Sequence, residues 1–130
     1  MDATRSAALE RVILRARNDP AVLAVILFGS HARGEAEVSS DVDVCLVLEP
    51  EVPLDLSASR KRLDYMTEAD LDLAIFQQLP LPARSRVLRE GQVLFVRDTD
   101  RLYELAVQTA RAFEGFRHHY RRYLDAVERD

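Results

Sequence analysis

Seven consecutive residues, Val22–Phe28 (VLAVILF), carry no polar side chain, and Gly29 follows at once. A run of strand length that is apolar on both of its alternating faces reads as a central strand, buried on either side. Helical periodicity surrounds it. From Ala3 to Arg17, the positions Ala8, Leu9, Val12, Ile13 and Ala16 recur at steps of three and four, the stripe of an amphipathic helix, and Asn18-Asp19-Pro20 closes it.

The remaining segments continue this alternation. Ser30 to Arg33 has room for one helical turn before Gly34, and Glu35 to Ser40 is a polar loop. Val42 to Leu48 is a second strand, with β-branched residues alternating against Asp43 and Cys45. Pro50 and Pro53 make Glu49 to Leu56 a connection, and Ser57 to Thr67 is a helix with Leu63 and Met66 expected on its inner side. Leu71 to Phe76 forms a third strand, Leu79-Pro80-Leu81-Pro82 interrupts, and Ala83 to Arg89 is a short helix stopped by Gly91. Val93 to Val96 is a brief fourth strand. Asp98 or Thr99 then caps a long helix to about Val127, with Leu102, Leu105, Ala106, Thr109, Phe113, Phe116, Tyr120 and Leu124 along one side. The expected fold is a small mixed α/β (α+β) domain over residues 1–130, a sheet of four strands flanked by helices.

Composition narrows the classes of function. A formal charge of −4 argues against broad nucleic-acid binding, which needs a basic face to displace condensed counterions. The arginines that do cluster, as at Arg84 to Arg89 and Arg117 to Arg122, read as solvated helix faces. A single cysteine, Cys45 in an apolar run, leaves no internal disulfide framework and reads as a small buried hydrophobe. With no signal-peptide layout and no apolar run of the ~18 residues that a membrane span needs, the cytoplasm is the expected compartment.

Chemistry concentrates between Phe28 and Val47, FGSHARGEAEVSSDVDVCLV. Gly29 lets a ligand approach the backbone closely, and Ser30 opens a turn whose free N–H groups favour an anion such as a triphosphate. Arg33 and His31 lie within reach, Arg33 as a phosphate contact and His31 as a polar surface residue of the turn. Gly29-x4-Gly34 opens like a P-loop, but Glu35 and Ala36 stand where that motif requires Lys and Ser or Thr. The phosphate charge must therefore be met through metal. Asp41 and Asp43, two apart on an extended chain, project to one face at about 6 to 7 Å, and hard oxygen ligands so placed select Mg²⁺ or Mn²⁺. A third carboxylate would complete a two-metal site for phosphoryl transfer. Asp72, within the apolar run Leu71–Phe76, is preferred to Asp70, which precedes the run and has the same parity. As a buried carboxylate, Asp72 would be costly to ionise without a cation.

The Gly-Ser, ten-residue, Asp-x-Asp arrangement of GSHARGEAEVSSDVDVCLV, with LDLAIF downstream, resembles the signature of the minimal nucleotidyltransferases of the polymerase-beta superfamily. The likeness extends to Arg86-Val-Leu-Arg-Glu-Gly-Gln-Val-Leu-Phe95 and the terminal aromatic helix, most of the chain. It implies a polymerase-beta-like fold in which Gly29 and Ser30 bind ATP, Asp41 and Asp43 bind magnesium, and Asp72 completes the metal site and assists deprotonation of the acceptor. Such proteins are typically antitoxins that silence an all-helical HEPN ribonuclease toxin by transferring AMP to one of its tyrosines. An antitoxin that neutralises by binding alone, or transfer to a small-molecule hydroxyl, are the competing readings. The second usually needs a further domain. Phe113, Phe116, Tyr120 and Tyr123 along the last helix read first as packing against the sheet, and otherwise as a partner or dimer surface. Arg111-x6-His118 mimics the Arg/His spacing of HEPN nucleases, but it follows a strand-rich domain rather than a bundle.

Overall fold

A computed structural model describes residues 3–34, 41–66 and 71–128, the side chains at 120, 123, 124, 127 and 128 excepted. Helix α1 (Ala3–Arg17) leads into β1 (Val22–Phe28), the single turn α2 (Ser30–Arg33) and β2 (Val42–Leu48). Helix α3 (Leu56–Tyr65), β3 (Leu71–Ile75), α4 (Leu81–Glu90), β4 (Gln92–Val96) and α5 (Thr99–Glu128) complete the order. The strands form one mixed sheet in the order β3-β2-β1-β4. β1 runs antiparallel to both β2 and β4, whereas β2 and β3 are parallel.

The apolar run becomes β1, in the interior of the sheet with strands on both sides, and its residues Val22–Leu27 are buried. Alternation along the strands sends two sets of side chains to two cores. On one face Val25, Leu27, Val42, Val44, Leu46, Leu73 and Ile75 pack with Ala8, Leu9, Val12 and Ala16 of α1 and with Ala58 and Tyr65 of α3. On the other, Leu23, Ile26, Cys45, Val47 and Phe76 meet Val87 of α4, with Leu102 and Leu105 of α5 partly buried against them. Cys45 is fully buried, as its apolar context implied, and burial pushes its thiol far above the ordinary range. Both faces of the sheet are thus covered by helices, and the long α5 is tied to the end of β2 by Arg101 Nη2, 3.2 Å from the buried carboxylate of Glu49.

Several expectations are corrected. Leu63 and Met66 do not face inward: they are 66% and 42% exposed, and α3 anchors through Ala58 and Tyr65 instead. Asp55 starts α3 one residue earlier than expected, accepting from Ser57 N at 2.8 Å. Helix α4 begins at Leu81, because Pro82 falls in the first turn, where a missing N–H costs nothing. β3 ends at Ile75, and Phe76 instead opens a short 3₁₀ turn, Phe76–Gln78. Phe116 is 44% exposed rather than on a packed face; Tyr120, Tyr123 and Leu124 lie outside the described side chains.

Tyr65 ties the helical face together. Its hydroxyl donates to Asp19 Oδ2 at 2.9 Å, Lys61 Nζ reaches the same oxygen at 2.9 Å, and the Arg15 guanidinium lies 4.6 Å from the ring centroid. Burial works against the Asp19 charge, but Lys61, Tyr65 and the Ala21 N–H outweigh it and hold the carboxyl below its usual range. Tyr65→Phe is expected to keep the packing, lose one hydrogen bond to a charged acceptor, and lower the unfolding free energy by about 1–2 kcal/mol in urea denaturation.

Candidate active site

The end of the sheet at which β1 stops and β2 begins gathers the polar residues that the apolar pattern does not explain. Gly29 terminates β1 with φ +73, a backbone conformation that residues with a Cβ rarely adopt. A Cβ at Gly29 would also collide with the Asp43 carboxylate, with Asp43 Cγ only 3.2 Å away. The glycine is needed twice over, for its dihedral and for the space it leaves beside Asp43. Ser30 is the first helical residue of α2 rather than its cap, since Gly29 holds that place and has no side chain to offer. Arg33 N donates back to Gly29 O at 3.3 Å, so the N–H groups that precede it in the turn have no intrahelical acceptor.

Register brings the acids together. Asp43 pairs with Phe28 across β1–β2 and with Asp72 across the parallel β2–β3 ladder. Parallel neighbours in register point to one face, which places two carboxylates side by side. Burial, then the charge and shared hydrogen bond of Asp72, then the charge of Asp41, push the Asp43 carboxyl above its usual range, and only His31 opposes them. Asp41 stands exposed one residue before β2. Asp72 is exposed on the edge strand, which corrects the expectation of a buried acid: its face of β3 is uncovered at that end. Asp70, the competing third carboxylate, falls outside the described residues, as does the loop Glu35–Ser40.

Among the described residues no three His, Cys, Asp or Glu side chains close around a common point. The Asp43–Asp72 pair nevertheless suits a divalent cation. Its donors are hard oxygens, and two carboxylates near enough to share a proton repel each other until a positive charge lies between them. Arg33 reaches across to α4, with Nη1 3.6 Å from Glu90 Oε2. Sequence reasoning missed the companion of this contact, a groove of about 210 Å³ in which Phe28 and Gly29 face Ala83, Arg86 and Val87 of α4. Only the fold of α4 back toward Gly29 reveals it. The four-residue steps Leu79, Ala83, Val87 were the one local signal.

Residues 10–100 match the family model described as "Polymerase beta, Nucleotidyltransferase". The chain belongs to this family. A Methanocaldococcus jannaschii protein named as a candidate protein adenylyltransferase, MJ1547, is 30% identical over 74 residues, 57% of this chain. The match spans 56% of that relative, so the chain covers about half its length. One chain of a toxin–antitoxin crystal structure with AMP-PNP superposes with a TM-score of 0.68 at 18% identity, covering 93% of this chain and 96% of that one. The complex of a tri-AMPylated Shewanella oneidensis HEPN toxin with its MNT antitoxin contains a chain that superposes with a TM-score of 0.64 at 18% identity, covering 95% and 98%. These likenesses establish the polymerase-beta-like nucleotidyltransferase fold for this chain. No helix among the described residues is long and apolar enough to cross a membrane.

The geometry around Gly29 and Asp43 gives two expected outcomes. Gly29→Ala should destabilise the chain by about 1–3 kcal/mol in chemical denaturation, through backbone strain and displacement of Asp43. A carboxyl whose value is raised on folding binds its proton more tightly in the folded chain, so stability falls as pH rises through the ordinary carboxylate range. Without divalent cations, Asp43→Asn should therefore raise the melting temperature at neutral pH, and the gain should vanish as pH drops below 3.8, the ordinary value.

Proposed function

We propose that the chain is a metal-dependent protein adenylyltransferase that moves AMP from ATP to a tyrosine hydroxyl of a HEPN-type toxin, acting as the antitoxin of the pair. The observation that carries this reading is the in-register pair Asp43–Asp72 beside a glycine that only the absence of a Cβ keeps clear of Asp43, in a chain of the nucleotidyltransferase family. The protein substrate and the partner are supported by the superposition on chains from toxin–antitoxin complexes, one with AMP-PNP and one with an AMPylated toxin, and by the name of the Methanocaldococcus relative.

In this reading Asp41, Asp43 and Asp72 hold two Mg²⁺ ions, with Mn²⁺ as a substitute. Bound there, the ions would neutralise the triphosphate and the developing charge of in-line displacement. Gly29 admits the phosphates against the backbone, Ser30 and the first N–H groups of α2 hydrogen-bond their oxygens, and Arg33 supplies a guanidinium by releasing its exposed partner Glu90. The acceptor oxygen forms a bond to the α-phosphorus, the bond from that phosphorus to the bridging oxygen breaks, and pyrophosphate leaves. Asp72, the most solvent-open of the facing pair, takes the acceptor's proton.

Radiolabelled ATP incubated with the chain, Mg²⁺ and a HEPN-type toxin from a neighbouring reading frame should place label on the toxin. The double change Asp41→Asn and Asp43→Asn, or removal of Mg²⁺ by EDTA, should lower that labelling at least about a thousandfold. Labelling that survives the double change would overturn the assignment of the metal site. Full neutralisation of the toxin by the unlabelling variant would establish occlusion in place of catalysis.

A further inference from the structure

The groove beside Gly29 is built unlike a phosphate site. Its walls are Phe28 of β1, Leu79 ahead of α4, and Ala83 and Val87 one turn apart on α4, all apolar, and its charged residues Arg33, Arg86 and Glu90 are exposed. Its volume, about 210 Å³, is below the ~300 Å³ at which pockets begin to hold a whole drug-sized ligand, so it takes a single flat ring system. Gly29 belongs both to this groove and to the carboxylate site, since its missing Cβ would meet Asp43. A molecule anchored at Asp43 and Asp72 and extending past Gly29 enters the groove directly. The larger cavity between α4 and α5, about 310 Å³, includes none of Gly29, Asp43 or Asp72.

We infer that this groove seats the nucleobase of the nucleotide and that Arg86 is its stacking residue, an inference that rests on the nucleotidyltransferase reading. Arg86 is exposed at the groove, has no ion-pair partner among the described residues, and presents a planar guanidinium suited to the face of an aromatic ring. Phe28 forms the apolar wall that such a ring requires, and Glu90, one turn beyond Arg86, offers a carboxylate that accepts from an exocyclic amino group. Among the described residues the ion pair of Glu90 is with the exposed Arg33 at 3.6 Å, a pairing too weak to withhold it from a ligand. Arg33 thus turns to the phosphates as Glu90 turns to the base. The arrangement favours bases that carry an amino group, adenine among them, over hypoxanthine, which has none.

Equilibrium dialysis with Mg²⁺ present separates the groove from the phosphate site by comparing ATP, ITP and inorganic tripolyphosphate. Arg86→Ala should weaken ATP about three- to tenfold, the range of a lost cation–π contact, and leave tripolyphosphate unchanged. Ala83→Leu, which fills the groove from a partly exposed helical position, should weaken ATP by about tenfold or more, again sparing tripolyphosphate. Glu90→Gln should narrow the preference for ATP over ITP. Equal weakening of ATP and tripolyphosphate by both variants would assign the groove to phosphate and overturn the inference. Unchanged ATP binding in both variants, with loss of acceptor labelling, would assign it to the acceptor and overturn it equally. A wild-type chain that binds neither ATP nor tripolyphosphate would defeat the nucleotidyltransferase reading itself, a result distinct from the other two.

Discussion

Asp43 and Asp72 are held face to face by the hydrogen-bond register of two parallel strands, and that repulsion is the constraint around which this end of the molecule is organised. Parallel strands cannot be joined by a tight turn, so the chain must leave the sheet and return, and α3 provides the crossover. The crossover helix is therefore held firmly at its last turn, where Tyr65 and Lys61 share Asp19 and Arg62 Nε donates to Leu73 O at 2.9 Å. A slip of one residue in β3 would send Asp72 to the opposite face and break up the pair.

The other half of the site is a matter of empty space. β1 and β2 pair Phe28 with Asp43, so the residue after Phe28 has to pass directly over the carboxylate. A positive φ turns the chain away there, and the lack of a side chain leaves the acid reachable. Elsewhere the acid's strand is dense: residues 44–48 of β2 are all buried, and both cores draw on them. A rigid strand is a good mount for a group that must stay within a narrow tolerance of its partner.

Much of this was legible from local pattern. The ranges of α1, β1, α2 and β2 agree with the structure because each rests on a long periodic or apolar run bounded by Pro, Gly or Asp. The alternation in LDLAI gave Asp72 its side of β3. What failed was information that neighbours in space supply. Nothing within Ser57–Thr67 shows that Tyr65, rather than Leu63 or Met66, meets the core. Pro82 read as a break because a helix start at Leu81 depends on where the preceding 3₁₀ turn delivers the chain. Asp72 was expected to be buried because it lies within an apolar run, whereas β3 is at the rim of the sheet and Asp72 is exposed there. Arg86 looked like one of several solvated arginines, and only the packing of α4 beside Gly29 sets it apart.

That rim position has a geometric result for whatever meets Asp72. A carboxylate on an inner strand can be approached only through a cleft, which limits its visitors to narrow molecules. Asp72 instead looks out from the edge strand, one rung in from the end of the ladder, and the flank of β3 away from β2 carries no further strand among the described residues. A side chain borne on a broad, folded surface can draw level with the acid there without threading into the chain at all.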